Sequence, residues 1–339
     1  MRKLTRYVAS LAIVGLAMAP LLRTSALAQE SKSPLSVAAD DGSSIHIFPT
    51  VDGATTLAPL LAPTGPLEYF GGSVMVNPTI YAIFWDPPTL QTGAPTSMSA
   101  TYPPIVKRML RDYPGHGIDN NNTQYFQIVS GITTYIHNTG TWGGAFVDTS
   151  PYPASVCTDP QTPGNCLTNT QLQHEIKKVL ALKGWTGGIN HLFLLFTSEG
   201  EGSCISSSST VCAYNPPNGY CGYHSAFFNA VGTPIIYTNQ PYGELTHCQA
   251  PSIPSPNGDA LADAAASIAA HEVTESITDP LPGSGWVTAS GNEIGDLCAY
   301  NYGILTWASG NANQMWNGDF FALQQMFDNH VGGCVQVGP

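Results

Sequence analysis

The chain reads as an α/β protein, with α+β as the alternative: a layered mixed sheet carrying helices, with long loops tied by disulfides. Three observations predict this. Apolar strand patterns alternate with amphipathic helical patterns from about residue 67 to residue 278. His191–Thr197 (His-Leu-Phe-Leu-Leu-Phe-Thr) is nearly continuously apolar, as a strand covered on both faces must be. The eight cysteines fall mostly in stretches rich in Gly, Pro, Ser and Asn between those patterns.

Taken in order, residues 1–28 have the form of a secretory signal. Arg2, Lys3 and Arg6 precede an apolar run from Tyr7 to Leu22, and Ala26-Leu27-Ala28 is an A-x-A cleavage site. The run is short and interrupted by Pro20, unlike a membrane anchor. Cleavage there leaves a chain starting near Gln29. Residues 29–65 are rich in Ser, Ala, Pro and Thr with little periodicity, and read as a flexible N-terminal segment or pro-segment. Residues 66–339 read as a single domain without internal repeats.

Within it, Thr79–Trp85 is a strand stopped by Asp86-Pro87-Pro88. Pro103–Tyr113 is a helix with Ile105, Met109 and Leu110 on one side and Lys107, Arg108 and Arg111 on the other. Ile132–Ile136 is a strand, Thr170–Leu182 an amphipathic helix ending before Gly184, and Pro234–Thr238 a further strand. Asp259–Ser276 is a helix, and its run of small residues from Ala260 to Ala270 marks it as buried.

Residues 1–28 hold four of the eleven basic residues (Arg2, Lys3, Arg6, Arg23) and no acidic one. The remainder therefore sets seven basic residues against 23 acidic ones, a net charge of −16. That disfavours nucleic acid and anionic membrane as partners. An extracellular peptide, protein or wall polymer suits the chain better, and no later segment is apolar enough to span a bilayer.

An even cysteine count in an exported chain reads as a disulfide set. Cys157 and Cys166 bracket a Pro/Gly loop and are expected to pair, and Cys298 and Cys334 to tie the last segment back. Cys204, Cys212, Cys221 and Cys248 form two further bridges whose order the spacing leaves open.

The stretch richest in chemistry is His271-Glu272-Val273-Thr274-Glu275, at the end of the small-residue helix. Positions i and i+4 share a helical face, so His271 and Glu275 point the same way with Glu272 beside them. This is the geometry of the H-E-x-x-H zinc motif with its second histidine replaced by glutamate, itself a competent zinc ligand. After a turn-rich excursion comes Asn292-Glu293-Ile294-Gly295-Asp296-Leu297-Cys298. If helical, it places Glu293 and Asp296 on one face, with Asn292 as N-cap. The two segments resemble those of thermolysin-like zinc peptidases, in which a glutamate from the second supplies the third ligand. That resemblance implies a zincin-like active-site helix. His271, Glu275 and Glu293 are then the metal ligands, Glu272 is the catalytic base, and Asp296 and Asp279 orient the ligands. Glu272, Glu275, Asp279, Glu293 and Asp296 lie in apolar, Gly-rich sequence without a Lys or Arg among them, a set of repelling charges that a cation relieves.

Further segments resemble the phosphate-induced protein 1, or EXORDIUM-like, family of plant cell walls and apoplast. They are Tyr69-Phe70-Gly71-Gly72-Ser73 leading to Tyr81–Trp85, Leu195–Glu199, Cys221-Gly222-Tyr223-His224, Pro256–Asp259 and Glu293–Cys298. They are collinear and cover most of residues 66–339. The resemblance implies a secreted protein associated with growth regulation, without assigned catalysis.

His224 is a candidate substrate or oxyanion contact if its loop folds over the helix. Ser198–Ser203 and Asp119–Asn122 are acidic loops that calcium could use, although neither has the spacing of a known calcium loop. No G-x-S-x-G elbow and no phosphate loop occurs. The function expected from the sequence is a secreted zinc-dependent hydrolase, a peptidase working through metal-activated water. The alternative is a non-enzymatic extracellular or wall interaction protein carrying a structural Ca2+.

Overall fold

Alternation along one central strand sets the architecture. In His191–Thr197, Leu192, Leu194 and Phe196 enter one hydrophobic cluster while Phe193 and Leu195 enter another. Successive strand residues point to opposite faces, so a strand apolar on both needs cover on both. The computed structural model describes residues 33–61, 65–250 and 252–339, and shows that cover.

The main sheet has seven strands: β1 Ser36–Ala38, β2 Ser44–Pro49, β3 Thr79–Trp85, β4 Thr141–Asp148, β5 His191–Thr197, β6 Tyr220–Phe228 and β7 Pro234–Gln240. Their spatial order is β1-β2-β6-β7-β5-β3-β4. The β7-β5-β3-β4 part is parallel, while β1-β2, β2-β6 and β6-β7 are antiparallel. Among the described residues five α-helices accompany it: α1 Val51–Leu61, α2 Tyr102–Asp112, α3 Gly117–Asn121, α4 Asn169–Lys183 and α5 Ala260–Thr278.

Helices α2 and α5 share one core with Leu192, Leu194 and Phe196. Helix α4 buries Leu172, Ile176, Val179 and Leu180 with Phe193 and Leu195 on the other face. The result is a layered mixed α/β fold with disulfide-tied loops. Helix α4 starts at a capping box, in which Thr168 accepts from Gln171 N–H and Gln171 reaches back, and stops at Gly184 with φ 67°. Helix α5 is capped by the Asp259 carboxylate, which accepts from Ala262 N–H. Its alanines let it lie close on the sheet, and every residue from Ala262 to Thr278 is buried.

The four bridges are Cys157–Cys166, Cys204–Cys212, Cys221–Cys248 and Cys298–Cys334. The first two touch, with Cys166 Sγ 3.4 Å from Cys204 Sγ. The third ties β6 to the loop after β7. The fourth ties the acidic Glu293–Cys298 segment to the C-terminal ribbon of Met326–Asp328 and Gly333–Val335.

Two expectations need correction. Residues 36–61, read as part of a flexible segment, form β1, β2 and α1. Ile45, Ile47 and Phe48 are buried in the second core, which holds the segment in place. The strand expected at Ile132–Ile136 forms over Ile132–Tyr135 and pairs with Phe126–Val129 in a ribbon outside the main sheet. The Asn292–Cys298 segment is not an α-helix and keeps one 3-10 turn, Asp296–Cys298. Its backbone is diverted because Asp296 N–H, which a helix would send to Asn292 O, donates to Glu275 Oε1 at 3.2 Å, while Asn292 O accepts from Thr288 N–H at 2.8 Å. Asn292 caps nothing there. It accepts from Ser33 Oγ at 3.2 Å and donates to Leu60 O at 2.8 Å, holding the N-terminal segment down. The signal at residues 1–28 lies outside the described residues. Among the described residues no helix is long and apolar enough to cross a membrane.

Candidate metal centre

The antiparallel register of β2 and β6 sets His46 directly opposite His224. The same alternation that sends Tyr223 and Phe227 to the α4 side sends His224 and Ala226 to the α5 side. Their rings stack at 5.6 Å between centroids. Helix α5 runs across this pair and offers His271, Glu272 and Glu275 from adjoining turns. The Glu293–Cys298 segment closes the far side with Glu293 and Asp296.

His46 Nε2 lies 2.8 Å from Asp296 Oδ2, and His46 Nδ1 lies 3.2 Å from Glu293 Oε1. His224 Nε2 is 3.4 Å from the same Glu293 oxygen. His224 Nδ1 is 3.5 Å from Glu272 Oε2 and 3.7 Å from Glu275 Oε2. Two donor sets result, His46/Glu275/Asp296 and His224/Glu272/Glu275, each with its donor atoms within 4.8 Å of one another. Glu275 belongs to both.

These side chains, with His271 and Asp279, are at most 1 % exposed. Among the described residues no Lys or Arg pairs with them, and the basic side chains that form ion pairs do so elsewhere. Many of their polar atoms have no hydrogen-bond partner: both ring nitrogens of His224, both oxygens of Glu272 and of Glu293, Glu275 Oε2, Asp296 Oδ1 and His46 Nδ1. Buried polar atoms are normally paired, so such a concentration needs a cause. The spacing supplies one. Contacts of 3.4–3.7 Å are too long for hydrogen bonds. They match the ligand-to-ligand edge of a tetrahedron with metal bonds of about 2.1 Å, roughly 3.4 Å.

Burial shapes the protonation of the cluster. It pushes Glu272 up to about 7, and His224 and His271 only partly offset this. Burial and the neighbouring Asp296 charge push Glu275 up to about 8. Glu293 is raised well above the carboxylate range by burial. Burial also opposes ionisation of Asp296, but the facing His46 brings this carboxyl below its usual value. His46 shows the reverse balance: burial disfavours its charge, yet Glu293 and Asp296 raise it well above 6.5. Burial lowers His271.

The structure brings the residues singled out from sequence into one cluster but distributes them differently. His271 Nε2 sits 3.1 Å from Glu275 Oε2, whereas Glu293 meets His46 and His224. His271 lies in neither donor set, and its other nitrogen is engaged. Gln324 Oε1 accepts from Tyr300 N–H, which orients the amide so that Nε2 donates to Gly295 O at 2.8 Å and faces His271 Nδ1 at 3.0 Å. A neutral ring accepting there carries its proton on Nε2, which lies near Glu275 Oε2 without hydrogen bonding to it. Asp279 acts on the loop after α5, accepting from Gly283, Ser284 and Gly285 N–H at 2.5, 3.1 and 2.7 Å. His224 comes from a core strand and faces donors directly. His46 escaped the sequence reading because it lies in the segment taken as irregular. Its one local signal is the apolar alternation Ile45-His46-Ile47.

Two glycines make room for the cluster. A Cβ on Gly295 would lie 2.5 Å from His271 Nδ1 and 2.8 Å from Glu275 Oε1, and one on Gly222 would lie 2.9 Å from Glu272 Oε1. The cluster is closed to solvent, and Asp296 borders a cavity of about 300 Å3 lined by Val51, Ala54, Ala58 and Leu61 of α1 and by Tyr300. A larger groove of about 710 Å3, lined by Asp41, Gln173, Lys177, Phe228 and Leu281, contains none of these groups. No family model matches the chain, and no curated protein or solved structure matches it.

Proposed function

We propose that the chain is an exported metal-dependent hydrolase whose centre is the His46/His224/Glu275/Glu293/Asp296 cluster, with zinc as the ion and a peptide bond as the target. The observation that carries this reading is the buried set of imidazole and carboxylate atoms lacking partners at ligand spacing. Imidazole nitrogen with carboxylate oxygen suits zinc better than calcium, which prefers oxygen alone. A bound divalent ion supplies a water of lowered pKa and polarises a carbonyl. Gly295 and Asp296 N–H both donate to Glu275 Oε1 at 3.2 Å, so that carboxylate's other oxygen is held towards the imidazoles. With one ion at the His46 end, Glu272 is the group left free to take a proton, and its pKa of about 7 suits that task near neutrality. Substrate approaches through the cavity beside α1, which must shift to admit a chain. The four disulfides favour export, since such bridges persist in oxidising compartments.

The closure of the cluster favours a second reading, the EXORDIUM-like one: an extracellular interaction protein in which the ion only stabilises the fold. Purified secreted protein separates the two. Zinc retained after desalting, with hydrolysis of a denatured protein substrate that chelation abolishes, supports the enzyme. Zinc retained without hydrolysis leaves the structural ion, and protein that binds no divalent metal overturns both.

A further inference from the structure

We infer that the centre takes two divalent ions, bridged by Glu275. This deepens the metal reading above and rests on it. The geometry has two poles and a shared middle. One pole is His46 with Asp296, and the other is His224 with Glu272. Glu275 belongs to both donor sets. Glu293 Oε1 stands between the two rings, 3.2 Å from His46 Nδ1 and 3.4 Å from His224 Nε2. Each pole thus has one imidazole and one terminal carboxylate, Glu275 lies where both poles can share it, and Glu293 faces the other nitrogen of each ring. Ions bridged in this way sit about 3.5–4 Å apart. Rings stacked side by side at 5.6 Å can each direct a nitrogen at its own ion.

The number of carboxylates favours two ions over one. Five carboxylates lie here, and Asp279 is occupied by three backbone N–H donors. The other four are Glu272, Glu275, Glu293 and Asp296, all fully or almost fully buried. No Lys or Arg among the described residues pairs with them. Ligands bind in their deprotonated form, so with all four carboxylates ionised and both imidazoles neutral one divalent ion leaves a charge of two minus in the buried site. Two divalent ions bring it to zero. An unpaired buried charge costs several kcal/mol, so the first ion leaves a strong site for a second. His224 supplies a separate sign of that second site: it is fully buried and neither ring nitrogen has a hydrogen-bond partner.

The two-ion centre gives Glu272 a different part from the one-ion centre. It would serve as a ligand of the His224 ion and would no longer be free to take a proton from water. Metal stoichiometry of the full secreted chain tests this, using Zn2+ and Mn2+ alone as probes. The expected result is two equivalents bound after desalting, with Mn2+-loaded protein giving the spin-coupled paramagnetic spectrum of a bridged pair. Glu272→Gln and Asp296→Asn should each hold one equivalent, with unchanged far-ultraviolet circular dichroism. Saturation of wild type at one equivalent, with Glu272→Gln also binding one, overturns the two-ion centre and leaves the metal reading intact. No bound metal overturns both. If either variant fails to fold, the wild-type stoichiometry and spin coupling decide alone.

Discussion

Replacing Glu272 by Gln should change stability in opposite directions with and without metal. In the metal-free protein, burial raises the Glu272 carboxyl from 4.5 to about 7. A group raised in this way contributes stability that is fully present below its unfolded pKa, near 4.5, and lost as pH rises through 7. At pH 8 it is ionised in both states, and the folded state bears a penalty of about 3 kcal/mol at 1.36 kcal/mol per pH unit. Gln has the same shape and stays neutral at every pH. In chelator at pH 8, Glu272→Gln should therefore be more stable than wild type by up to about 3 kcal/mol, or roughly 6–12 °C in Tm for a domain of this size. At pH 4 the two should melt together. With saturating zinc the order should reverse, because wild type gains binding energy at both poles and the variant at one. Binding at a thousand times Kd stabilises by about 4 kcal/mol per site. Thermal melts at pH 4 and pH 8, in chelator and in zinc, measure all of this. A variant less stable than wild type in chelator at pH 8 would refute the claim that Glu272 is held in a buried site without a compensating cation.

Three further outcomes follow from the same coordinates. Gly295→Ala places a Cβ against His271 and Glu275 at an ordinary φ of −80°, so it should cost about 1–3 kcal/mol by overpacking and abolish metal retention, both read on one sample by melt and metal assay. Glu201 is 1 % exposed, and burial, partly offset by Gln91 and reinforced by the Asp159 charge, raises it to about 8. Its contribution is present below 4.5 and lost as pH rises through 8, so Glu201→Gln should gain about 3 kcal/mol on wild type at pH 7 and nothing at pH 4 in denaturant titrations with chelator. Converting Cys298 and Cys334 to Ser opens a closure spanning 36 residues and should cost about 4 kcal/mol. Because Cys298 follows Asp296 by two positions, the same variant should hold metal more weakly.

Period and composition alone located much of the frame. Thr79–Trp85 and His191–Thr197 form strands with the bounds read from sequence, and the α2, α4 and α5 helices lie within two residues of their expected ends. Those elements have strong local signals: a continuous apolar run, a capping residue, a one-sided apolar face. The same signals put His271, Glu272 and Glu275 on a buried helix and Glu293 and Asp296 in a segment that returns to it. Local signals were weak where long-range burial decides. β2 carries only Ile45, Ile47 and Phe48 in a Ser- and Asp-rich context, and becomes a strand because β6 offers it a partner and the α4-side core takes its side chains. The Asn292–Cys298 pattern fits a helix, but Glu275 of α5 takes the Asp296 N–H and Thr288 takes the Asn292 carbonyl instead.

The sequence by itself determined the layered class, the Cys157–Cys166 and Cys298–Cys334 pairs, and the carboxylates that meet. A helical period, a short cysteine spacing and a scarcity of basic residues are properties of neighbours along the chain. Tertiary structure alone decided which imidazoles face those carboxylates. His46 and His224 are 178 positions apart and come together only through antiparallel register across β2 and β6. Register depends on which apolar faces find a common core, and no local pattern around either histidine encodes that choice.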